Sequence, residues 1–421
     1  MEALETYHYI LIFASVIITS YFFSSFAKKS GIPAVLMLIG LGVVINLVYS
    51  PFDNRFGFIL EFLGTVGLIL IVLDGSLGLK LLKNKTGIIL KSLFVSLITL
   101  IGTSYSAALF LNYFFELEII HSLLLTTPLS ILSSAILLPS IDSVEEKKRE
   151  FLIYESTFSD IIGIIVFYTT LSFINPSTEN NQVYGFIVSD LIGTTIFSVV
   201  ISYFLIYIFQ KLKGQAKLFL LISVLMILYA FGEMFNLSSL IIILMFGLII
   251  NNYKLFFRGF LFKLIDEEKK ISEIINDFKI VTLESAFVVR TFFFILFGWS
   301  IKINDLFDIK SFLIGLSIVG IIYLVRSITL FIFSGTVRIS RILPELFLAP
   351  RGLLTILLFY AVPENLIDSN INFEGVFLYV IIICCLIMTL SLISEKKKIE
   401  RKEEEDFEII NPDVDKEENI E

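Results

Sequence analysis

The chain has 421 residues, 56% of them hydrophobic, and its formal net charge is −8 at pH 7. A soluble domain of this length is far more polar, so the composition excludes a soluble globular protein and indicates a membrane protein with several spans. The two cysteines, Cys384 and Cys385, are neighbours in one apolar run. Neighbouring residues of a helix point in different directions, so neither a disulfide nor a cysteine metal site is expected.

Long apolar runs dominate the sequence. A helix needs about 20 apolar residues to cross the hydrocarbon core of a bilayer. The chain contains about thirteen runs near this length, so the sequence predicts an all-α polytopic fold. The runs are Tyr7–Ala27, Pro33–Tyr49, Gly57–Leu79, Gly87–Phe115, His121–Pro139, Phe151–Ile174, Tyr184–Gln210, Leu218–Gly232, Leu237–Ile250, Ile280–Ile301, Ile309–Gly335, Pro344–Val362 and Phe373–Ser394.

Basic residues cluster after every second apolar run. Lysine and arginine clusters follow the odd-numbered runs, for example at 28–29, 80–85 and 147–149, and few follow the even-numbered runs. Because basic residues stay preferentially on the cytoplasmic side, we expect the N-terminus outside and the C-terminus in the cytoplasm. We assign residues 1–394 to a transmembrane domain and expect the charged segment 395–421 to be a disordered cytoplasmic tail.

Two of the runs are interrupted by helix-breaking residues. Thr126–Pro128 (TTP) interrupts the fifth run, and Ala349–Gly352 (APRG) interrupts the twelfth. Proline removes a backbone donor, so carbonyl and amide groups become free inside the membrane. The two runs cross the membrane in opposite directions under the predicted topology, a pattern that is typical of transporters built from inverted repeats. We therefore expect two discontinuous helices that cross.

The sixth run carries polar residues that a membrane span rarely contains. Glu155, Ser156, Ser159 and Asp160 lie within about one and a half helical turns. A charged side chain in hydrocarbon costs roughly 2.5–3.5 kcal/mol even on lenient scales, so two carboxylates indicate a function. Carboxylate, hydroxyl and freed carbonyl oxygens suit a monovalent cation, and a cation and a proton compete for one buried carboxylate. The pattern favours cation-coupled proton exchange.

Four motifs, in their order and on these spans, resemble those of a known family. Tyr154–Asp160 (YESTFSD) is similar to the family pattern G-E-S-x-x-N-D, Thr126–Pro128 to T-D-P, and Ala349–Gly352 to G-P-R-G. Val72–Gly75 (VLDG) resembles a further family segment, F-E-G. Over Tyr7–Ser394 the chain therefore resembles bacterial NhaP-type sodium/proton antiporters, in the branch of cation:proton antiporters that includes the eukaryotic sodium/proton exchangers.

The resemblance implies roles for individual residues. Asp160 would bind the cation and the proton in alternation, and Glu155 would form a buried structural ion pair with Arg326. Asp74 would stand near the ion. Further oxygens would come from Ser156, Ser159 and the backbone at Thr126, and the crossing of the broken helices would contain Thr127, Pro128, Pro350 and Arg351.

The expected function is antiport of a monovalent cation, Na+ before Li+ or K+, against H+. Since Glu155 and Arg326 cancel each other's charge, exchange at Asp160 would be electroneutral. The resemblance also implies a homodimer in a bacterial plasma membrane. The sequence contains no Walker motif, nucleotide domain or metal-ligand cluster, so we expect no enzymatic reaction, no cofactor and no nucleic-acid partner.

Two departures from the family pattern leave the ion selectivity open. Ser159 replaces the family asparagine, and Thr127 replaces the aspartate of T-D-P. Three alternatives follow: potassium transport, anion transport, and a sensor that does not transport. An anion would bind Arg326 and Arg351 rather than Asp160. Ser156 has the alternative of bonding to a carbonyl of its own helix.

Overall fold

The computed structural model describes twelve stretches of the chain, and every regular element within them is helical. The described residues are 2–48, 57–141, 144–174, 193–194, 196–205, 207–208, 217–234, 239–257, 268–301, 307–335, 338–367 and 371–410.

The main helices are numbered here in chain order. They are α1 (Glu2–Ser30), α2 (Ala34–Val48), α3 (Gly57–Gly78), α4 (Thr86–Phe115), α5 (Ile119–Ser130), α6 (Ser134–Leu137), α7 (Glu146–Ile174), α8 (Lys217–Met234), α9 (Ser239–Asn251), α10 (Glu268–Ser300), α11 (Ile309–Ser334), α12 (Leu353–Tyr360) and α13 (Phe373–Ile410). A further apolar helical segment lies at Ile196–Leu205.

The described helices confirm the predicted all-α polytopic fold. Seven segments of at least 18 residues are apolar enough to cross a membrane, one of them being the interrupted span Ile119–Ser140 that combines α5 and α6, and five shorter apolar helices accompany them. The short α12 is the helical part of the twelfth predicted run. Together these segments account for the predicted number of about thirteen spans. The first part of the predicted run Tyr184–Gln210 lies outside the described residues.

The helices form two packed groups. In the first, α10 packs along α2 and α3, and α9 packs against α3 and α8. In the second, α4 packs against α5, α7 and α11, and α11 also packs against α13. The two groups meet where α3 contacts α7 and where α12 contacts both α3 and α5. The discontinuous helices and the polar residues of α7 therefore lie where the two groups meet.

The distribution of polarity is that of a protein surrounded by lipid. Large apolar side chains such as Ile10, Leu11 and Phe13 of α1 are more than half exposed. Hydroxyl side chains fill part of the interior, and Thr103 and Thr126 are completely buried. In a bilayer there is no water to satisfy polar groups on the outside, so polar groups gather in the interior.

The C-terminal end differs from the sequence-based expectation. Helix α13 continues through the predicted membrane boundary at Ser394 and ends at Ile410. The first part of the segment 395–421 is therefore helical rather than disordered, because the chain from Glu395 onward is rich in lysine and glutamate, which are good helix formers. Residues 411–421 lie outside the described part of the chain.

The start of α11 provides a test of stability outside the membrane. Asp308 is its N-cap and accepts hydrogen bonds from the backbone amides of Lys310 and Ser311 and from the Ser311 hydroxyl. The Ser311 hydroxyl is the main cause that lowers the pKa of Asp308. We expect Asp308→Ala to reduce the free energy of unfolding by about 1 kcal/mol, and Asp308→Asn, which keeps the acceptor, to cost less.

The direction of the pKa shift of Asp308 determines how the stabilisation by this cap depends on pH. A carboxylate whose pKa is lowered in the folded state stabilises the fold at neutral pH, and the stabilisation is lost as the pH falls below about 4. The difference between the original protein and Asp308→Ala should therefore shrink in acid, as measured by unfolding in mixed detergent micelles. A difference that grew in acid would contradict this assignment.

Candidate ion-binding site

Two stretches of irregular backbone cross where the two helix groups meet. Residues 131–133 separate α5 from α6, and residues 348–352 precede α12. The amide of Ser133 donates to the carbonyl of Pro350 at 3.0 Å, so the two stretches bond directly to each other. The amide of Leu132 donates to the Ser159 hydroxyl of α7 at 2.9 Å. The crossing thus ties both broken spans to the polar part of α7.

The sequence placed the break in the fifth span at Thr126–Pro128, but the irregular backbone follows this motif, at residues 131–133. Helix α5 includes Pro128 and ends at Ser130. The threonine hydroxyls stabilise this proline-containing turn: Thr127 donates to the Leu123 carbonyl at 2.7 Å, and Thr126 donates to the carbonyls of Ser122 and Ser104 at 2.8 and 2.9 Å. Beyond the end of α5, the amides of Leu132 and Ser133 donate to Ser159 of α7 and to Pro350, which precedes α12. Tertiary contacts therefore decide the position of the break.

Asp160 lies beside this crossing. The backbone amide of Ser134 donates to its Oδ2 atom at 3.4 Å, and the Ser134 hydroxyl donates to the same atom. The other oxygen, Oδ1, is buried and has no hydrogen-bond partner among the described residues. A buried polar atom without a partner is costly and rare in folded proteins. Asp160 therefore presents one satisfied oxygen and one that is available to a ligand.

Ser134 was not predicted from the sequence. It is the first residue of α6 and follows the irregular stretch, so its amide is not used within a preceding helix. The signal that could have found it is the pair Ser133-Ser134, two hydroxyl residues shortly after Pro128 in an apolar run. The distance of 26 residues from Asp160 hides this contact from sequence reasoning.

The charges around Asp160 do not include a neutralising cation. Among the described residues, no lysine or arginine nitrogen lies within 4 Å of its carboxylate. Its charge instead interacts unfavourably with that of Asp74 on α3, in the other helix group. The charge of Asp74 is in turn offset by Arg290 and Lys279 of α10. The interface between the two groups therefore has an excess of negative charge at Asp160.

Glu155 and Arg326 form a buried bidentate ion pair. The Arg326 Nη1 and Nη2 atoms lie 2.7 and 3.0 Å from the two carboxylate oxygens of Glu155. Both side chains are at most 2% exposed. Arg326 also donates to the carbonyls of Glu345 and Leu346. One guanidinium thus connects α7, α11 and the chain before the second break, with its donors used by a carboxylate and two carbonyls.

Arg351 lies within the crossing and is 1% exposed. Its Nε atom donates to the Leu129 carbonyl near the end of α5 at 2.7 Å, and its Nη1 atom lies 3.3 Å from the Ala349 carbonyl. No carboxylate oxygen lies within 4 Å of it in the described part of the chain. The last carbonyls of a helix carry a partial negative charge, so Arg351 stabilises the end of α5 in place of a counter-ion.

The other residues predicted for ion binding are distributed around this centre. The Ser159 hydroxyl accepts the Leu132 amide and faces the crossing. The Ser156 hydroxyl donates to the Ile153 carbonyl of its own helix at 3.3 Å, which is the alternative that the sequence left open. The Thr126 carbonyl accepts from the Ser130 hydroxyl at 2.9 Å. The described residues contain no cluster of three or more histidine, cysteine or acidic side chains that could chelate a metal.

Gly352 makes the close approach of the two broken spans possible. A Cβ atom at this position would lie 2.5 Å from the Ser133 Oγ atom and 2.7 Å from a terminal carbon of Ile136. We expect Gly352→Ala to lower the free energy of unfolding by about 1–3 kcal/mol because the added carbon overpacks the crossing. Gly320→Ala is the matched control, because a Cβ atom there meets nothing within 4 Å. The control should stabilise α11 by up to about 1 kcal/mol.

Both variants can be compared by unfolding in mixed detergent micelles. Equal stabilities for Gly352→Ala and the original protein would show that the crossing adapts to the added carbon.

Comparison with known proteins identifies the family. The family model described as "Sodium/hydrogen exchanger, transmembrane" matches residues 13–394, which is most of the chain. The chain belongs to the transmembrane sodium/hydrogen exchanger family. This exchanger is therefore a multi-pass membrane protein from a family of ion antiporters, which are transporters rather than enzymes in the catalytic sense.

Relatives of this exchanger come from the archaeon Methanocaldococcus jannaschii. A protein described as "Probable Na(+)/H(+) antiporter 2" is 25% identical over 345 residues, which cover 77% of this chain and 78% of the relative. The structure of the sodium proton antiporter MjNhaP1 at pH 8 matches with a TM-score of 0.66 and 21% identity, over 93% of this chain and 96% of that one. A second structure of MjNhaP1, from electron microscopy, matches with a TM-score of 0.64 and 20% identity, over 93% of this chain and 95% of that one. The structural matches support the fold.

Proposed function

We propose that this exchanger moves one monovalent cation against one proton and that Asp160 binds the two in alternation. The observation that carries the proposal is the buried Oδ1 atom of Asp160, which has no partner among the described residues while Ser134 holds Oδ2. A deprotonated carboxylate in this position needs a cation, and a protonated one does not. Competition between the cation and the proton for this oxygen couples their movements.

Electroneutral exchange is supported by the pairing of the other charges. Glu155 is neutralised by Arg326 at 2.7 Å, and the charge of Asp74 is offset by Arg290. Asp160 is then the carboxylate that needs one positive charge at a time. One bound Na+ and one bound H+ carry the same charge, so a cycle that exchanges them moves no net charge.

Sodium is the first candidate for the cation, with Li+ and K+ as the alternatives. The relative and the two matching structures are described by their names as sodium/proton antiporters. The Ser134 hydroxyl contacts Asp160 and the Ser159 hydroxyl lies at the crossing, and small hard cations prefer such oxygen ligands. We propose that Ser134 contributes an oxygen to the cation site, in addition to the residues that the sequence suggested.

The two helix groups provide a basis for alternating access. Asp160 and the crossing belong to the group built on α4, α5, α7 and α11, whereas Asp74 belongs to the group that contains α3 and α10. Movement of one group against the other would expose Asp160 first to one side and then to the other. We also propose the orientation expected from the basic residues, a plasma membrane location and a homodimer.

Anion transport is less well supported. An anion would need Arg326 or Arg351, yet Arg326 is engaged by Glu155 and Arg351 by backbone carbonyls. Removing either arginine from these partners would leave a buried carboxylate or a helix end unsatisfied, which is costly in a low-dielectric interior.

Proteoliposomes with a pH-sensitive dye inside provide the test. We expect added Na+ to drive proton movement in vesicles that contain the exchanger and not in protein-free vesicles. Li+ and K+ are then added in separate experiments to rank the ions. An imposed membrane potential should leave the rate unchanged if the exchange is electroneutral. Absence of proton movement with all three ions would reject the proposal, and a strong dependence on the potential would reject electroneutrality.

A further inference from the structure

A cavity of about 690 Å³ lies away from Asp160, at one end of α3, α9 and α10. Three lysines contribute to its lining: Lys80 follows α3, Lys254 follows α9, and Lys279 is in the first part of α10. The proposed transport cycle uses none of the three as a ligand. All of them lie at the ends of spans that the sequence assigns to the basic, cytoplasmic side.

The wall of this cavity is held by hydrogen bonds. The side-chain amides of Asn251 and Asn252 donate to the Leu79 carbonyl at 2.9 and 2.7 Å, and the Asn252 Oδ1 atom accepts from the Leu81 amide at 2.7 Å. The Tyr154 hydroxyl donates to the Lys80 carbonyl at 2.9 Å. These bonds fix the backbone on both sides of Lys80, so the point from which its side chain extends at the cavity is part of the fold.

The charges of Lys80 and Lys279 are not balanced by the described lining of this cavity. No carboxylate lines the cavity among the described residues. Neither Lys80 nor Lys279 forms an ion pair within 4 Å in the described part of the chain. Their charges interact unfavourably with each other, and only Asp74, deeper in α3, offsets the charge of Lys279. A bound anion would remove this repulsion.

The chemistry of the lining indicates the kind of anion. Lysine ammonium groups bind phosphate oxygens as point charges, and basic pockets between membrane helices on the cytoplasmic side suit phosphate head groups. The remaining lining is apolar or uncharged and includes Leu82, Ile275 and Asn276. Cavities of this size hold small molecules or a head group rather than a single ion.

We propose that this cavity binds a phosphate group, carried either by an anionic membrane lipid or by a soluble phosphate compound. The proposal concerns binding alone and does not depend on the transport function proposed above. It adds an anion site to a protein whose transported ion is a cation.

The experiment measures the thermal stability of the full-length protein in detergent. Short-chain phosphatidylglycerol is the anionic lipid probe, and short-chain phosphatidylcholine is its zwitterionic control. Tris phosphate is compared with Tris chloride at equal ionic strength. The double variant Lys80→Gln/Lys279→Gln removes two charges from the cavity. Lys91→Gln/Lys147→Gln removes two charges from elsewhere on the basic side and is the matched control.

We expect phosphatidylglycerol or phosphate to raise the melting temperature in a saturable manner. The cavity variant should need about tenfold more probe for half of the effect, and the control variant should respond as the original protein does. A response to the lipid alone identifies a lipid head group, and a response to Tris phosphate identifies a soluble compound. If the double variant does not fold, the single substitutions are titrated in its place.

Three results would overturn the proposal. One is the absence of stabilisation by both anionic probes. Another is an equal response of the cavity variant and the control variant. The third is equal stabilisation by phosphatidylglycerol and phosphatidylcholine that the lysine substitutions leave unchanged.

Discussion

Asp160→Asn is expected to reduce cation-driven proton movement to the leak of protein-free vesicles. Asparagine has nearly the same size and can still accept the hydrogen bonds from Ser134. It carries no charge and releases no proton, so neither half of the proposed competition can take place. The variant should fold, because a neutral side chain costs less to bury than a charged one.

Glu118→Gln is the control for Asp160→Asn. Its carboxylate is exposed, with 66% of the side chain accessible, and its neutralisation should leave transport unchanged. Both variants are reconstituted at equal protein content and assayed with the same ions. Retention of half or more of the original rate by Asp160→Asn would place the exchanged charge on another residue.

Ser134→Ala gives a graded test of the same site. The Ser134 hydroxyl donates to Asp160, and a hydrogen bond to a charged group is worth about 1.5–3 kcal/mol. We therefore expect the apparent affinity for the cation to fall about tenfold. Ser156→Ala is the matched comparison, because the Ser156 hydroxyl is engaged by the Ile153 carbonyl. A larger loss of cation affinity in Ser156→Ala than in Ser134→Ala would favour Ser156, the ligand that the sequence suggested.

Removing one partner of the Glu155–Arg326 pair is expected to cost about 3–5 kcal/mol of stability. Glu155→Gln leaves the guanidinium of Arg326 buried with only carbonyl acceptors, and Arg326→Met leaves a buried carboxylate without a cation. The double variant should lose less than the sum of the two single losses, because no uncompensated charge remains. The measurement is equilibrium unfolding in mixed detergent micelles.

Lys398→Met is the control for these substitutions. Lys398 lies 3.5 Å from Glu395, and its side chain is 57% exposed, so this pair is in contact with solvent. We expect the control to cost about 1 kcal/mol or less. Losses of the same size at Glu155 and Lys398 would mean that the buried pair contributes little to the stability of the fold. Additive losses in the double variant would show that Glu155 and Arg326 act separately.

The sequence alone determined the spans and the candidates for buried charge. Apolar runs of sufficient length must be helical in a bilayer, because only internal hydrogen bonds can satisfy their backbone. The number of spans therefore followed from hydropathy. The acidic residues of the sixth run followed from the cost of charge in hydrocarbon, whereas the pairing of Glu155 with Arg326 was implied by the family resemblance.

Only the tertiary structure decided how these residues meet. The break of the fifth span falls at 131–133 because the amides of Leu132 and Ser133 bond to Ser159 and Pro350, partners that are 27 or more residues away. The contact of Ser134 with Asp160 has the same origin. Helical periodicity tells which residues share a face of one helix, but it does not tell which residue of another helix approaches that face. The packing of α7 against the crossing settles that choice.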